Sequence, residues 1–182
     1  MIKFLKLLFL TGIFLLSSCT EELPLEEGVF DNPLDEDEVS YETPALTFFP
    51  FINDVSLGGS FIVSVFILGV EDLGGSYVKF SYDKNQIEYL NDGVGDLFDD
   101  ASQSPICLVE VDQNTGIVTI NTSFLGSDST HVDGTGSIVD ITFRALSTGT
   151  SSLTFDVNSE LVTPSDGSIE IKGFGEGVVN AL

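Results

Sequence analysis

Tryptophan is absent from the 182 residues, methionine and histidine occur once each, cysteine twice, and lysine and arginine together only six times. Each scarcity excludes something. Six bases against 29 acids give a formal charge of −23, so nucleic acid would be repelled rather than bound through counterion release. One histidine, His131, leaves no cluster for a zinc site and little for acid-base work. Two cysteines, Cys19 and Cys107, provide no disulfide framework. What is plentiful is strand and turn material: 18 Gly, 15 Phe and many Val, Ile, Ser and Thr, which point to an all-β domain.

Residues 1–18 read MIKFLKLLFLTGIFLLSS. A basic start at Lys3 and Lys6, an apolar run and small residues at Ser17 and Ser18 make a secretory signal peptide. Its removal leaves four bases against 29 acids, a charge of about −25. Leu16-Ser17-Ser18-Cys19 resembles the bacterial lipobox, in which the cysteine carries a diacylglyceryl group and becomes the new N-terminus. Cys19 is therefore expected to be a lipid anchor, and two or three acyl chains hold a protein stably where one does not. An ordinary cleavage site in a secreted protein is the other reading.

Residues 20–42 contain ten acids, no base and two prolines. No period of 2 or 3.6 survives there, so the span 19–42 is expected to be a disordered acidic tether. Glu21 and Glu22, directly after the anchor cysteine, look like surface-export signals of Bacteroidetes-type lipoproteins. The outer face of an outer membrane is the expected location.

From residue 43 to 182 apolar runs alternate with Gly, Asn, Asp and Ser clusters, and no helical period lasts three turns. Nine strands are predicted: Ala45 to Phe49, Phe61 to Leu68, Ser76 to Tyr82, Ile87 to Leu90, Ile106 to Asp112, Gly116 to Phe124, Gly136 to Ala145, Ser151 to Val157 and Ser168 to Val179. That pattern suits a two-sheet sandwich. Asp112-Gln113-Asn114-Thr115-Gly116 and Asp166-Gly167 read as hairpin turns. Val78, Phe80 and Tyr82 alternate with Tyr77, Lys79 and Ser81, and the first set is expected inside. Val118, Ile120, Thr122 and Phe124 likewise oppose Ile117, Thr119, Asn121 and Ser123, the wetter set. Phe61, Val63, Val65 and Ile67 suit the core, but Ile62, Phe66 and Leu68 on the other side are either covered by a neighbouring segment or exposed. Cys107, in the apolar run Ile106, Leu108 and Val109, is expected to be a small buried side chain.

Ser60 to Val65, Tyr77-Val78-Lys79-Phe80-Ser81-Tyr82-Asp83, Gly116-Ile117-Val118-Thr119-Ile120, Gly134 to Gly136 leading into Ile138 to Ala145, Gly149 to Phe155 and Gly175 to Val179 stand in an order and spacing that resembles the cohesin domain over residues 44–181. The most specific pieces are the strand ending in Tyr82-Asp83 and the Gly-x-Gly-x-Ile-x-x-Ile-x-Phe-x-Ala stretch. The resemblance implies a nine-stranded jelly-roll sandwich that is a receptor rather than an enzyme. Cohesins bind dockerins, small calcium-loaded helical modules carried by polysaccharide-degrading enzymes. By this resemblance the partner lies on the sheet formed by the strands at 151–157, 76–82, 116–124 and 106–112. Tyr77, Lys79, Ser81, Thr119, Asn121 and Ser123 are then the candidate partner-binding residues. Where some cohesins carry an Asn and an Asp that accept hydrogen bonds, this chain has Gly75 and Tyr77, so a different dockerin or ligand is allowed. A lipid-anchored carbohydrate-binding sandwich is the alternative, with Tyr77 or Tyr89 stacking on sugar rings.

Other constellations carry less. Asp92, Asp96, Asp99 and Asp100 crowd one loop and are weak calcium candidates, opposed by a solvated acidic loop, because no twelve-residue ligand pattern accompanies them. No other cofactor is expected. His131, near Asp128 and Asp133, has no nucleophile motif beside it and is expected to be a surface-loop histidine. Glycosidases need two facing carboxylates, and nothing singles out a pair.

Overall fold

The computed structural model describes residues 41–125 and 130–182. The expected signal peptide at 1–18, Cys19 and the tether as far as residue 40 lie outside the described residues, as does Asp128. Thirteen strands follow in order: β1 (Ala45–Phe49), β2 (Ile52–Val55), β3 (Ser60–Leu73), β4 (Gly75–Ser81), β5 (Ile87–Val94), β6 (Ile106–Asp112), β7 (Ile117–Ser123), β8 (Val132–Ala145), β9 (Gly149–Phe155), β10 (Glu160–Val162), β11 (Ser168–Ile169), β12 (Gly173–Phe174) and β13 (Gly177–Ala181). Among the described residues a short 3-10 turn, Asp96–Phe98, interrupts them. All nine expected strands are present. The last is broken into β11, β12 and β13, and β2 and β10 are additional.

Two sheets form the jelly-roll sandwich. The first has the order β12-β1-β3-β8-β5. In the second, β6 pairs with β7 and β7 with β4 along full antiparallel registers. The far edge of β4 is shared: Gly75 to Tyr77 pair with β10, and Phe80 and Ser81 with the end of β9. β9 continues through β13 to β2. Closing the second sheet this way leaves β4, β7 and β6 as an unbroken ribbon.

Between the sheets, Phe48 stacks on Phe155 at 4.1 Å and meets Phe80 edge-on at 5.2 Å, while Tyr82 lies 5.2 Å from Phe143. Val63, Val65, Ile67, Val78, Val118, Ile120, Ile141 and Leu153 complete the layer, all essentially sealed from water. Each such side chain stabilises by about 1.5–3 kcal/mol, and aromatic pairs add about 0.5–1.5 kcal/mol more. Ser76 and Thr122, a buried polar pair between β4 and β7, satisfy each other at 2.7 Å, as most buried hydroxyls are satisfied.

The uncertain side of β3 divides. Leu68 is buried and Phe66 half-buried in a small outer cluster with Ala45, Tyr41, Phe49 and Phe51, whereas Ile62 is 57% exposed. The cause is coverage: Tyr41, Phe49 and Phe51 lie over the Phe66 and Leu68 end of this side and not over Ile62. Tyr41 lies against β12 and the residue after it: a Cβ on Gly173 would stand 3.3 Å from its ring, and one on Gly175 2.6 Å from its hydroxyl oxygen.

Candidate docking face

The outer surface of β4, β7 and β6 is built by alternation. In β4, Val78 and Phe80 point inward and are buried, so Tyr77, Lys79 and Ser81 point out. In β7, Val118, Ile120 and Thr122 are buried and Thr119, Asn121 and Ser123 point out. All six expected partner-binding residues therefore share one face. Register aligns them in rows across the strands: Tyr77 beside Asn121 beside Leu108, and Lys79 beside Thr119 beside Glu110. Above these, Gly75, Ser123 and Ile106 form a third row.

Lys79 reaches sideways to Asp156 at 3.2 Å. Its backbone N–H is bonded to the Ser159 hydroxyl at 3.1 Å, and its carbonyl accepts from Asp156 N–H at 2.7 Å. The Asp156–Ser159 turn thereby closes the gap between β9 and β10. A shallow groove of about 170 Å³ opens beside it, with Lys79, Ser81, Ile117, Thr154 and Asp156 among its walls. Asp156 accepts hydrogen bonds from Asn158 and pairs with Lys79, and these hold its carboxyl below the usual range. Hydrogen bonds from Thr115 and Asn114 do the same for Asp112 at the β6–β7 turn.

Leu108 is 58% and Ile106 42% exposed, beside Tyr77 at 39%. Sequence reasoning treated Ile106 and Leu108 as the surroundings of a buried cysteine. The structure corrects this: they point outward, and Cys107, half-buried, packs on the core from the other side of β6. Burial, with Asp92 nearby, pushes the Cys107 thiol up from its ordinary value. The signal was present in parity, because Ile106 and Leu108 share a face with Glu110 and Asp112. Gly75 has no room for a side chain: a Cβ there would lie 2.8 Å from the Thr122 carbonyl oxygen. The acceptor missing from that position is thus excluded by backbone packing.

Other candidates are placed elsewhere. Tyr89 packs on the core and donates its hydroxyl to Asp92; burial and this bond push it up to about 12. Its half-buried ring belongs to β5 of the first sheet and so lies off the β4, β7 and β6 face. Asp96 accepts from both N–H and hydroxyl of Ser137, at 2.7 and 2.9 Å. With Asp92 committed to Tyr89, the four acids Asp92, Asp96, Asp99 and Asp100 do not converge. No group of three or more His, Cys, Asp or Glu among the described residues is placed to hold a metal. His131 is exposed, with Nδ1 3.5 Å from Asp72 and Nε2 3.7 Å from Asp133.

A flat, open, strand-built face flanked by carboxylates is suited to a protein partner, with its exposed aromatic and aliphatic side chains as anchors. Comparison with solved structures finds the same architecture repeatedly. It is the cohesin fold. The sixth cohesin of scaffoldin B from Acetivibrio cellulolyticus, solved with a Cel5 dockerin mutant, matches with a TM-score of 0.64 at 13% identity, over 76% of this chain and 98% of that one. A non-cellulosomal cohesin from the archaeon Archaeoglobus fulgidus matches at 0.60 with 17% identity, over 76% and 91%. The OlpA cohesin of Clostridium thermocellum, in a type I complex with Doc918, matches at 0.63 with 16% identity, over 76% and 98%. No protein-family model matches the chain, and no curated protein does. At these identities the cohesin likeness is one of fold.

Proposed function

We propose that this chain is a non-catalytic binding module that docks dockerin-bearing proteins involved in polysaccharide breakdown, through the outer face of β4, β7, β6 and β9. We further propose that a lipid on Cys19 holds it to the bacterial cell envelope, on the outer surface of the outer membrane. The observation that carries the docking reading is the open face itself: Tyr77, Asn121 and Leu108 stand in one row across three strands of a cohesin-fold sheet. Solved cohesins of this fold in complex with dockerins support the choice of partner. The acidic composition supports separation from anionic membrane, since like charges repel.

Calorimetric titration of the chain with dockerin modules encoded in the source genome tests the docking reading. At least one is expected to bind, and Leu108→Asp is expected to weaken it at least tenfold without moving the thermal midpoint, because Leu108 is exposed and a central anchor is worth 2 kcal/mol or more, roughly, when truncated. Failure of every dockerin to bind would overturn the reading.

A further inference from the structure

The candidate face does not neutralise its own charge. Lys79 is its outward base and is already paired with Asp156. Glu160 stands across from Tyr77 on one flank, and Glu110 across from Thr119 on the other. Both glutamates are exposed, and neither has a base within 4.0 Å among the described residues. Asp112 is engaged instead with the backbone of Asn114 and the hydroxyl of Thr115. Two unengaged carboxylates thus stand at opposite edges of the face that carries Tyr77 and Leu108.

Their spacing follows from sheet geometry. Three inter-strand steps separate β10 from β6, about 14 Å, and the glutamates are offset by one two-residue row, about 7 Å, which gives roughly 16 Å between them. Tyr77 stands next to Glu160, Leu108 stands one row from Glu110 on the same strand, and Asn121 and Thr119 lie between the two sides, so a partner meets an apolar side chain and a negative charge together at each edge. An acidic or neutral partner would leave the glutamates unpaired against it, and like-charge juxtaposition at an interface is costly.

We propose that this face selects a cationic protein partner, one that seats an apolar side chain on Tyr77 and Leu108 between two lysines or arginines reaching Glu160 and Glu110. This rests on the docking reading for its location and adds the partner's chemistry. The rim pairs give specificity and speed of encounter, and the apolar contacts on Tyr77 and Leu108 give residence time.

The test uses the full ¹⁵N-labelled chain and two probes, an amphipathic Leu/Lys peptide and its Leu/Glu counterpart. The Leu/Lys peptide is expected to shift the amides of Tyr77, Asn121 and Leu108, and the Leu/Glu peptide to leave them in place. Glu110→Gln with Glu160→Gln is expected to weaken the Leu/Lys complex about fivefold, in keeping with two exposed pairs. Glu170→Gln with Glu176→Gln, an equal charge change at exposed positions between β11 and β13, is expected to change it less than twofold. Equal weakening by both pairs, or shifts on the β3–β8 face instead, would overturn the proposal. The dockerin titration separates the two readings. A dockerin that binds indifferently to Glu110→Gln and Glu160→Gln would sink the charge rule while leaving docking intact. Peptide mapping to this face with no dockerin bound would do the reverse.

Discussion

Three glycines form a natural series for separating backbone strain from steric exclusion. Gly93, exposed on β5, has an ordinary φ, and a Cβ there would meet nothing within 4 Å. Gly58 has φ of 77° and equally open surroundings. Gly116 has φ of 73°, and a Cβ there would run into the carbonyl oxygen of Tyr82. That contact is backbone against backbone, since Tyr82 N–H is bonded to the Gly116 carbonyl at 2.8 Å and Gly116 N–H to the Asp112 carbonyl at 2.8 Å. No side chain can swing aside to make room.

Replacement of each by alanine then has a worked magnitude. Gly93→Ala is expected to stabilise by about 0.4–1 kcal/mol, because alanine restricts the unfolded chain. Gly58→Ala sets that gain against a left-handed cost of about 1–2 kcal/mol, a net loss of about 0.5–1 kcal/mol. Gly116→Ala adds displacement of the β6–β7 turn, and a total loss of about 2–4 kcal/mol places it among the larger single-site effects. At roughly 3–5 °C per kcal/mol for a domain of this size, calorimetry should find a rise of a few degrees, a fall of a few, and a fall of about 10 °C. Equal losses for Gly58→Ala and Gly116→Ala would refute the reasoning, because the clash with Tyr82 would then cost nothing. Because β6 and β7 carry Leu108 and Asn121, Gly116→Ala is also expected to weaken docking, whereas Gly58→Ala is not.

Lowered carboxyl values at Asp112 and Asp156 mean that the folded state prefers the ionised forms, so their stabilisation is complete above the unfolded value near 3.9 and is lost as pH falls below it. Carboxyl ¹³C titration should give both midpoints below the ordinary 3.8, and Thr115→Val should raise that of Asp112; a midpoint at or above 3.8 would contradict the hydrogen-bond assignment. For the proposed anchor, metabolic labelling with a radioactive fatty acid should mark the chain and Cys19→Ala should abolish the label, while persistence of the label in that variant would exclude Cys19 as its site.

Where neighbouring strands pair without interruption, the sequence was readable. β4 and β7 keep strict alternation over seven residues each, so two-residue parity alone assigned Val78, Phe80, Val118 and Ile120 to the core and Tyr77, Lys79, Thr119 and Asn121 to the surface. The Asp112–Gly116 turn was readable because it needs a positive φ that glycine supplies. What parity does not report is coverage: Leu68 keeps the outer parity of Ile62 and Phe66 but is buried under Tyr41, Phe49 and Phe51, which only the folded chain brings together there. β6 was misread for another reason. Its apolar start, Ile106 to Val109, hides the alternation, which shows only when the strand is followed to Glu110 and Asp112 on the side of Ile106 and Leu108.

The two sheet exteriors are treated differently by the chain, and the difference bears on how a tethered module would work. On the first sheet, Tyr41 lies against β12 and joins Phe49, Phe51 and Phe66 over Ala45 and Leu68. The chain therefore enters the sandwich across that exterior, on the side opposite β4, β7 and β6. Sheets in a sandwich stand about 10 Å apart, so the entry point and the candidate face are separated by the whole thickness of the domain. A receptor anchored through its N-terminus needs this arrangement, because entry beside Tyr77 or Leu108 would set the tether in competition with the partner. Tyr41 also explains why glycines recur in β12 and just beyond: Gly173 and Gly175 both leave space that the tyrosine ring fills. Composition alone put Tyr41 inside the acidic span 19–42. Its contacts put residue 41 on the exterior opposite β4, β7 and β6.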